Sequence, residues 1–573
     1  MNKYSKLIPK KDKYEWICEF CSNINKDLVI NKVDLPLNDT IENCISPGIN
    51  KDLITHEKDD SSLIFCFDIS GSMCQSYDVG KDLKKKFNKI LGNKSNKNQF
   101  KVQNQNSNDS DVDEPFDYNM ENTQYISRLD LVKCSIQNNI NSLLKNAQNT
   151  KVGIVSFGSD IEVKGDCLSN VMIIKEKDMN NESKIISLGE ENNNLIKSPI
   201  NMSHKNIIKA LNDTEENGAT ALGPAVLMSL SLLKNSKIGS RIFLCTDGMS
   251  NLGVGNISQD KEAAKVYYTK IGDMSKERGI IINLITFQDS ESEIEVLMTM
   301  IEKSGGEIIR VNPSAILDGF NDLLENQALA SEVELRMNLN KCLTFRDQEE
   351  KDLSNDGSSI FQKMDNVSKE TETYYELKFK KSIKLADMKD INFEELKNLI
   401  FQIEIRYRNK NSGEFIRIIT KNMKVSDNKE EVEKQANFEI VTAAEIQKSA
   451  KLAGVGLIRE AQAQAHVARK YLEKNKKNSK NSYGSYQMFN NNMNLFNQNL
   501  QYNYENQNYD ELDGEEEEDQ IIFLNRKTEK KKNKAFKSIK EFESKDLMTQ
   551  QIFSLSRTSQ NKQKLNFKRN KKK

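Results

Sequence analysis

The sequence is poor in the residues that most catalytic and cofactor chemistry uses. Its 573 residues include one tryptophan, three histidines and seven prolines. His56, His204 and His466 stand in unrelated segments, and no Ser-His-Asp order, H-E-x-x-H pair or nucleophile elbow accompanies them. No G-x-x-x-x-G-K-[ST] occurs, so no loop is built to cradle phosphates. Without that companion, "NKVD" at residues 31–34 reads as a chance match to a guanine-reading motif. No apolar run approaches the roughly 20 residues a membrane span needs, and the opening "MNKYSKLIPKKDKYEW" carries no secretory pattern. Neither charge sign prevails: 84 basic residues face 84 acidic ones, so no global field selects nucleic acid. The expectation is a cytoplasmic, non-enzymatic protein with no nucleic-acid partner and no transmembrane segment. Peripheral membrane association is left open.

Apolar residues make up 37% of the chain, a low share for a globular protein. Folded domains diluted by polar insertions and tails are therefore expected. The nine cysteines form no even framework, and Cys66 and Cys245 sit inside apolar runs. They read as small buried hydrophobes in a reducing compartment.

What is present is a rhythm. From residue 61 to 330, short apolar runs ("LIFCFD", "KVGIVSFG", "IEVKGDCL", "RIFLCTDG", "IIINLITFQ", "GEIIRV") alternate with amphipathic stretches of helical period. That pattern predicts an α/β domain with a doubly wound, mostly parallel six-stranded sheet. The tight turn inside "VGIVSFGSDIEVKGD" makes its second strand antiparallel. Residues 76–124, rich in Asn, Lys, Asp and Ser, read as a disordered insertion within this domain. Over 331–428 the period changes to 2, as in "LIFQIEIRYRN", which predicts a small antiparallel β-sandwich. Residues 429–475 are alanine-rich and helical in pattern. Residues 476–573 read as a low-complexity, disordered tail, with "DQIIFLN" and "DLMTQQIFSLSRT" as short docking segments within it.

One stretch gathers chemistry. In "SSLIFCFDISGSMCQS" an apolar strand runs straight into Asp68, Ser70, Gly71 and Ser72. Thr220 lies in the Gly/Ala-rich loop of "TEENGATALGPAVL", and Asp247 closes the strand of "RIFLCTDG". In an open α/β sheet, ligands bind at the carboxyl ends of the strands. Parallel strands bring these three segments to one edge and collect two carboxylates with three hydroxyls. Such hard, mostly neutral oxygen donors suit Mg²⁺, which prefers octahedral geometry at about 2.0–2.1 Å and keeps several waters.

Asp68-x-Ser70-x-Ser72, the loop Thr220 and the T-D-G Asp247, in this order, resemble the metal-ion-dependent adhesion site of von Willebrand factor A domains. D-x-S-x-S alone is a weak signal; the three parts at strand ends are a specific one. The resemblance covers about 61–330 and departs at no position. It implies that Ser70, Ser72 and Thr220 ligate Mg²⁺ (or Mn²⁺ or Ca²⁺) directly, while Asp68 and Asp247 act through bound water. The last position in the shell would go to an exposed Asp or Glu of a protein partner. "SGSMCQS", "SRLDLVKCSI" and "VGIVSFGSDIEVKGD" further resemble the A-domain region of circularly permuted Ras proteins.

The N-terminal segment, 1–60, holds a C-x-x-C, Cys18 and Cys21, behind Trp16. Placed before an A-type domain, it resembles half of the zinc ribbon of COPII inner-coat subunits. There a ribbon, an A-type trunk, a β-sandwich and helices share one chain, which implies a vesicle-coat-like scaffold as the alternative function. A Cys₄ zinc site needs a second C-x-x-C. None lies upstream in the sequence, and Cys44 and His56 lack the spacing. Zinc at Cys18 and Cys21 is left open.

Overall fold

The computed structural model describes residues 2–46, 61–91, 125–497 and 548–556. Within these ranges 12, 21–22, 31–35, 291–292, 313–314, 327, 341, 347, 349–351, 365, 370, 381–397, 410–412, 427, 478–481 and 495 are not described. Cys21, the "NKVD" stretch, His56 and "DQIIFLN" thus lie outside the described residues.

Strands β1 (Leu7–Lys10), β2 (Lys13–Ile17) and β3 (Ile24–Leu28) form a small antiparallel sheet. Strand β4 (Thr40–Ser46) leaves it and pairs elsewhere. The chain then enters the central sheet with β5 (Ser62–Asp68), whose seven residues are all buried. Their side chains alternate between two cores. Leu63, Phe65 and Phe67 face one side with helix α2 (Arg128–Asn146), while Ile64 and Cys66 face the other. A strand covered on both faces reads as an unbroken apolar run, as "LIFCF" does. Each phenylalanine buried here stabilises by roughly 1.5–3 kcal/mol.

Residues Ser76–Asp78 (β6) and Gly80–Leu91 (α1) correct the expectation of an insertion beginning at 76. Strand β6 pairs antiparallel with β7 (Tyr125–Ser127), matching Tyr77 to Ile126. Phe87 on α1 is fully buried, and its carbonyl accepts from the Cys134 thiol of α2. The lysine-rich composition hides these two anchors. Residues 92–124 lie outside the described residues.

Four further strands run parallel with β5: β8 (Lys151–Phe157), β11 (Arg241–Cys245), β12 (Ile281–Phe287) and β13 (Ile308–Val311). Two more, β9 (Ile161–Gly165) and β10 (Met172–Ile174), extend the β8 edge antiparallel. The sheet order is β10-β9-β8-β5-β11-β12-β13, one strand more than the six expected. The extra strand spans three residues and has a half-exposed centre, so it leaves no period in the sequence. Helices α3 (Glu182–Glu191), α4 (Ile200–Asn212), α5 (Leu222–Leu232), α6 (Lys261–Glu277), α7 (Ile294–Ser304) and α8 (Ile316–Glu325) complete the layers.

After α8 come β14 (Ala328–Leu339), β15 (Leu343–Arg346), β16 (Ser359–Met364), β17 (Val367–Ser368), β18 (Glu376–Phe379), β19 (Asn398–Asn409) and β20 (Glu414–Lys424). An antiparallel sheet runs β16-β14-β19-β20-β4, with β17 also on β14. Strand β4 of the N-terminal segment is thus part of it. The β15–β18 ladder shares its core through Leu343, Phe345 and Leu377.

Helices Lys429–Gln435, Phe438–Gly454 and Ile458–Asn475 follow. Residues 482–494 and 548–556 are also helical; the first corrects the expectation of disorder there, and the second falls within the "DLMTQQIFSLSRT" docking segment. Phe489, Met493 and Phe496 pack on Phe438, Ile446 and Leu472; their spacing of four and three is a helical stripe inside an asparagine-rich run. Among the described residues, no helix is long and apolar enough to cross a membrane.

Candidate functional site

The carboxyl ends of β5 and β11 are neighbours because the two strands pair in register, Phe67 opposite Cys245. Asp68 therefore stands beside the start of the 246–248 turn. After Asp68 the chain makes a 3₁₀ turn, Gly71–Cys74, anchored by the fully buried Met73. The amide of Gly71 donates to the Gly218 carbonyl at 3.0 Å, and the Asn217 amide to the Ile69 carbonyl at 2.5 Å. These bonds bind the serine loop to the threonine loop. Gly218 has φ +68°, and a Cβ there would meet Ser159 Oγ at 1.9 Å, so the join requires glycine.

All five residues singled out from the sequence come together. The Ser70 amide donates to Asp68 Oδ1 at 2.7 Å, and the Ser70 and Ser72 hydroxyls lie 3.1 Å apart. Ser72 Oγ donates to Asp247 Oδ1 at 2.6 Å. Thr220 is held through its amide, which donates to Asn251 Oδ1 at 2.8 Å. A Cβ on Gly248 would stand 3.6 Å from Ser72 Oγ and 3.7 Å from Thr220 Oγ1. Both hydroxyls therefore border the same space over Gly248. Asp68, Ser70, Thr220 and Asp247 are all buried.

Four partners were not found from the sequence. The Thr246 hydroxyl donates to Asp68 Oδ2 at 2.6 Å. Arg128 Nη1 donates to Asp247 Oδ2 at 2.6 Å, with both side chains almost wholly buried. Arg128 Nε donates to Tyr77 Oη at 2.8 Å, and Nη2 pairs with Asp289 Oδ2 at 3.0 Å. Tyr77 Oη in turn donates to Asp289 Oδ1 at 2.5 Å. A signal for Arg128 existed: it is the first residue of α2, capped by Ser127, where the helix dipole favours acids over bases. An arginine there has another partner to satisfy.

Burial, and after it the Asp247 charge, push the Asp68 carboxyl up to about 7. Desolvation disfavours an ionised carboxylate unless a cation or donors answer it. Among the described residues, no three His, Cys, Asp or Glu side chains come together to hold a metal. The donor set here is instead hydroxyl-rich and contains neither nitrogen nor sulfur, which fits a hard divalent cation rather than zinc. Cys18 is half-buried, and its proposed companion Cys21 lies outside the described residues. Two described cavities, of about 360 and 350 Å³, are lined by none of the five site residues.

No known family profile matches the chain. It is 24% identical over 459 residues to circularly permutated Ras protein 1 of Dictyostelium discoideum, covering 79% of this chain and 50% of that one. The chain thus spans about half the length of the curated relative it matches. Among solved structures it is similar to the human COPII-coat protein Sec24c, at 11% identity and TM-score 0.48, covering 86% of this chain and 60% of that one. A von Willebrand factor type A protein from Catenulispora acidiphila gives 10% identity and TM-score 0.38, covering 75% of this chain and 82% of that one. The chain resembles the von Willebrand factor A proteins. Its resemblance to circularly permuted Ras proteins, read from "SRLDLVKCSI" and its companions, holds in the curated relative.

Proposed function

We propose that the chain is a non-enzymatic protein-interaction module whose A-type domain binds Mg²⁺ and captures an acidic residue of a protein partner. The observation that carries this reading is the convergence of the Ser70, Ser72 and Thr220 hydroxyls with Asp68 and Asp247 at one sheet edge. Ser70, Ser72 and Thr220 would hold the ion, and the two carboxylates would orient its waters. The bound ion supplies a positive centre for a carboxylate. The chain's own part is to fix the hydroxyls through the Gly71–Gly218 bond and to keep bulk water from the two buried carboxylates. Mn²⁺ or Ca²⁺ fits the same oxygens. Specificity would come from the surrounding loops.

A vesicle-coat-like scaffold is the second reading. The order of N-terminal ribbon-like sheet, A-type domain, antiparallel sheet and helices favours it.

A pull-down with the full chain separates the two, run in Mg²⁺, in EDTA, and in Mg²⁺ with Asp247→Ala. Retention of a partner only by the wild-type chain with metal is the expected result. The same proteins bound under all three conditions would refute metal-bridged capture and favour the scaffold.

A further inference from the structure

We propose that Arg128 is a built-in counter-cation that weakens the site's hold on a divalent ion and sharpens its demand for an outside carboxylate. The inference rests on the metal reading above. Three features of the guanidinium carry it. Its donors are committed on three sides: Nη1 to Asp247 Oδ2 (2.6 Å), Nε to Tyr77 Oη (2.8 Å), and Nη2 to Asp289 Oδ2 (3.0 Å). Its flanks are closed by the rings of Tyr77 and Phe287, with centroids 5.7 and 5.4 Å away. Its side chain is 3% exposed, so solvent and salt screen it little. A guanidinium does not give up its proton at any ordinary pH. The positive charge is therefore permanent, fixed in place and in contact with one of the two site carboxylates.

The consequence follows from charge. Asp68 and Asp247 offer two negative charges to an incoming ion, and Arg128 already answers one of them through Asp247. A divalent ion would then leave the group of Asp68, Asp247, Arg128 and metal with net charge +1, facing the open side of the site. An acidic side chain satisfies that charge, and water alone does so poorly. Asp289, the third carboxylate, lies on the far side of Arg128 and is about a third exposed. It holds the guanidinium and is itself partly screened. Arg128 thus acts as a positioning residue through Asp247: weaker ion binding alone, stronger coupling between ion and acidic ligand.

The test is calorimetric titration of Mn²⁺ into the full-length wild-type protein, Arg128→Met and Asp289→Asn, each with and without sodium acetate as the carboxylate probe. Circular dichroism checks folding. Arg128→Met is expected to bind Mn²⁺ tighter by tenfold or more, on the order of one charge removed at close range, and to lose most of its enhancement by acetate. Asp289→Asn is expected to bind Mn²⁺ about threefold more weakly, because a partly exposed charge has been withdrawn. Unchanged or weaker Mn²⁺ binding by a folded Arg128→Met overturns the role of Arg128 and leaves the metal reading standing. Should that variant fail to fold, Asp289→Asn decides: weaker binding supports the proposal and unchanged binding overturns it. No Mn²⁺ binding by the wild type or any variant overturns both the proposal and the metal reading.

Discussion

At the scale of single residues, the account turns on two buried carboxylates that differ in how they are answered. Asp247 has Arg128 and the Ser72 hydroxyl; Asp68 has the Ser70 amide and the Thr246 hydroxyl, with no cation among them. Burial and the nearby Asp247 charge raise the Asp68 carboxyl to about 7. A cation needs the ionised form, so protons and metal compete. On the proposed reading, protonation of Asp68 below about 7 weakens Mg²⁺ binding, and above it the carboxylate is available. Calorimetry across this range is expected to show Mg²⁺ affinity rising with pH. Affinity independent of pH would remove Asp68 from the site. Of the five site residues, Asp68, Ser70, Ser72 and Asp247 were legible because they stand where a strand ends in a run of small polar residues. Thr220 was legible from the Gly/Ala-rich loop ahead of α5, which follows helix α4 rather than a strand. Arg128 was legible only as a base misplaced at a helix start, since nothing in "SRLDLVKC" ties it to a turn more than a hundred residues further on.

At the scale of elements, the strands were legible and the short pieces between them were not. The run "LIFCF" declares itself because both faces of β5 are covered. Helix α1 does not, since its Phe87 is set among lysines and asparagines that read as disorder. Its burial nevertheless gives it weight. Phe87→Ala is expected to destabilise the protein by about 3–5 kcal/mol, measured by denaturant unfolding. A change within about 0.5 kcal/mol would mean that α1 is an ornament on the domain. The β6–β7 pairing also bears on the proposed site, because it places Tyr77 against Arg128 and Asp289. Strands β6 and β7 are thereby joined to the electrostatics of the proposed site.

At the scale of the whole molecule, the units interlock. Strand β4 of the N-terminal segment pairs along β20, so the antiparallel sheet draws strands from both sides of the α/β domain in the sequence. Asn366 donates to the Ser304 carbonyl at 2.9 Å, joining that sheet to α7. The short helix at 548–556 reaches back across hundreds of residues. Phe553 enters the core of the α/β domain, while Ile552 and Leu555 lie against the C-terminal helices. The pattern of "DLMTQQIFSLSRT" indicates a docking segment, but composition does not say where it docks. Phe553→Ala is expected to increase hydrogen exchange in helices Phe438–Gly454 and α7 together. Exchange confined to 548–556 would show that the segment joins nothing.

The claim at the centre is that the Ser70, Ser72 and Thr220 hydroxyls form one side of a cation site. A crystal structure grown in Mn²⁺ and measured at the manganese absorption edge tests it most directly. The account predicts one strong anomalous peak within bonding distance of those three hydroxyls, with Ser72 Oγ released from Asp247. A map without that peak, and with Ser72 still donating to Asp247, would contradict it.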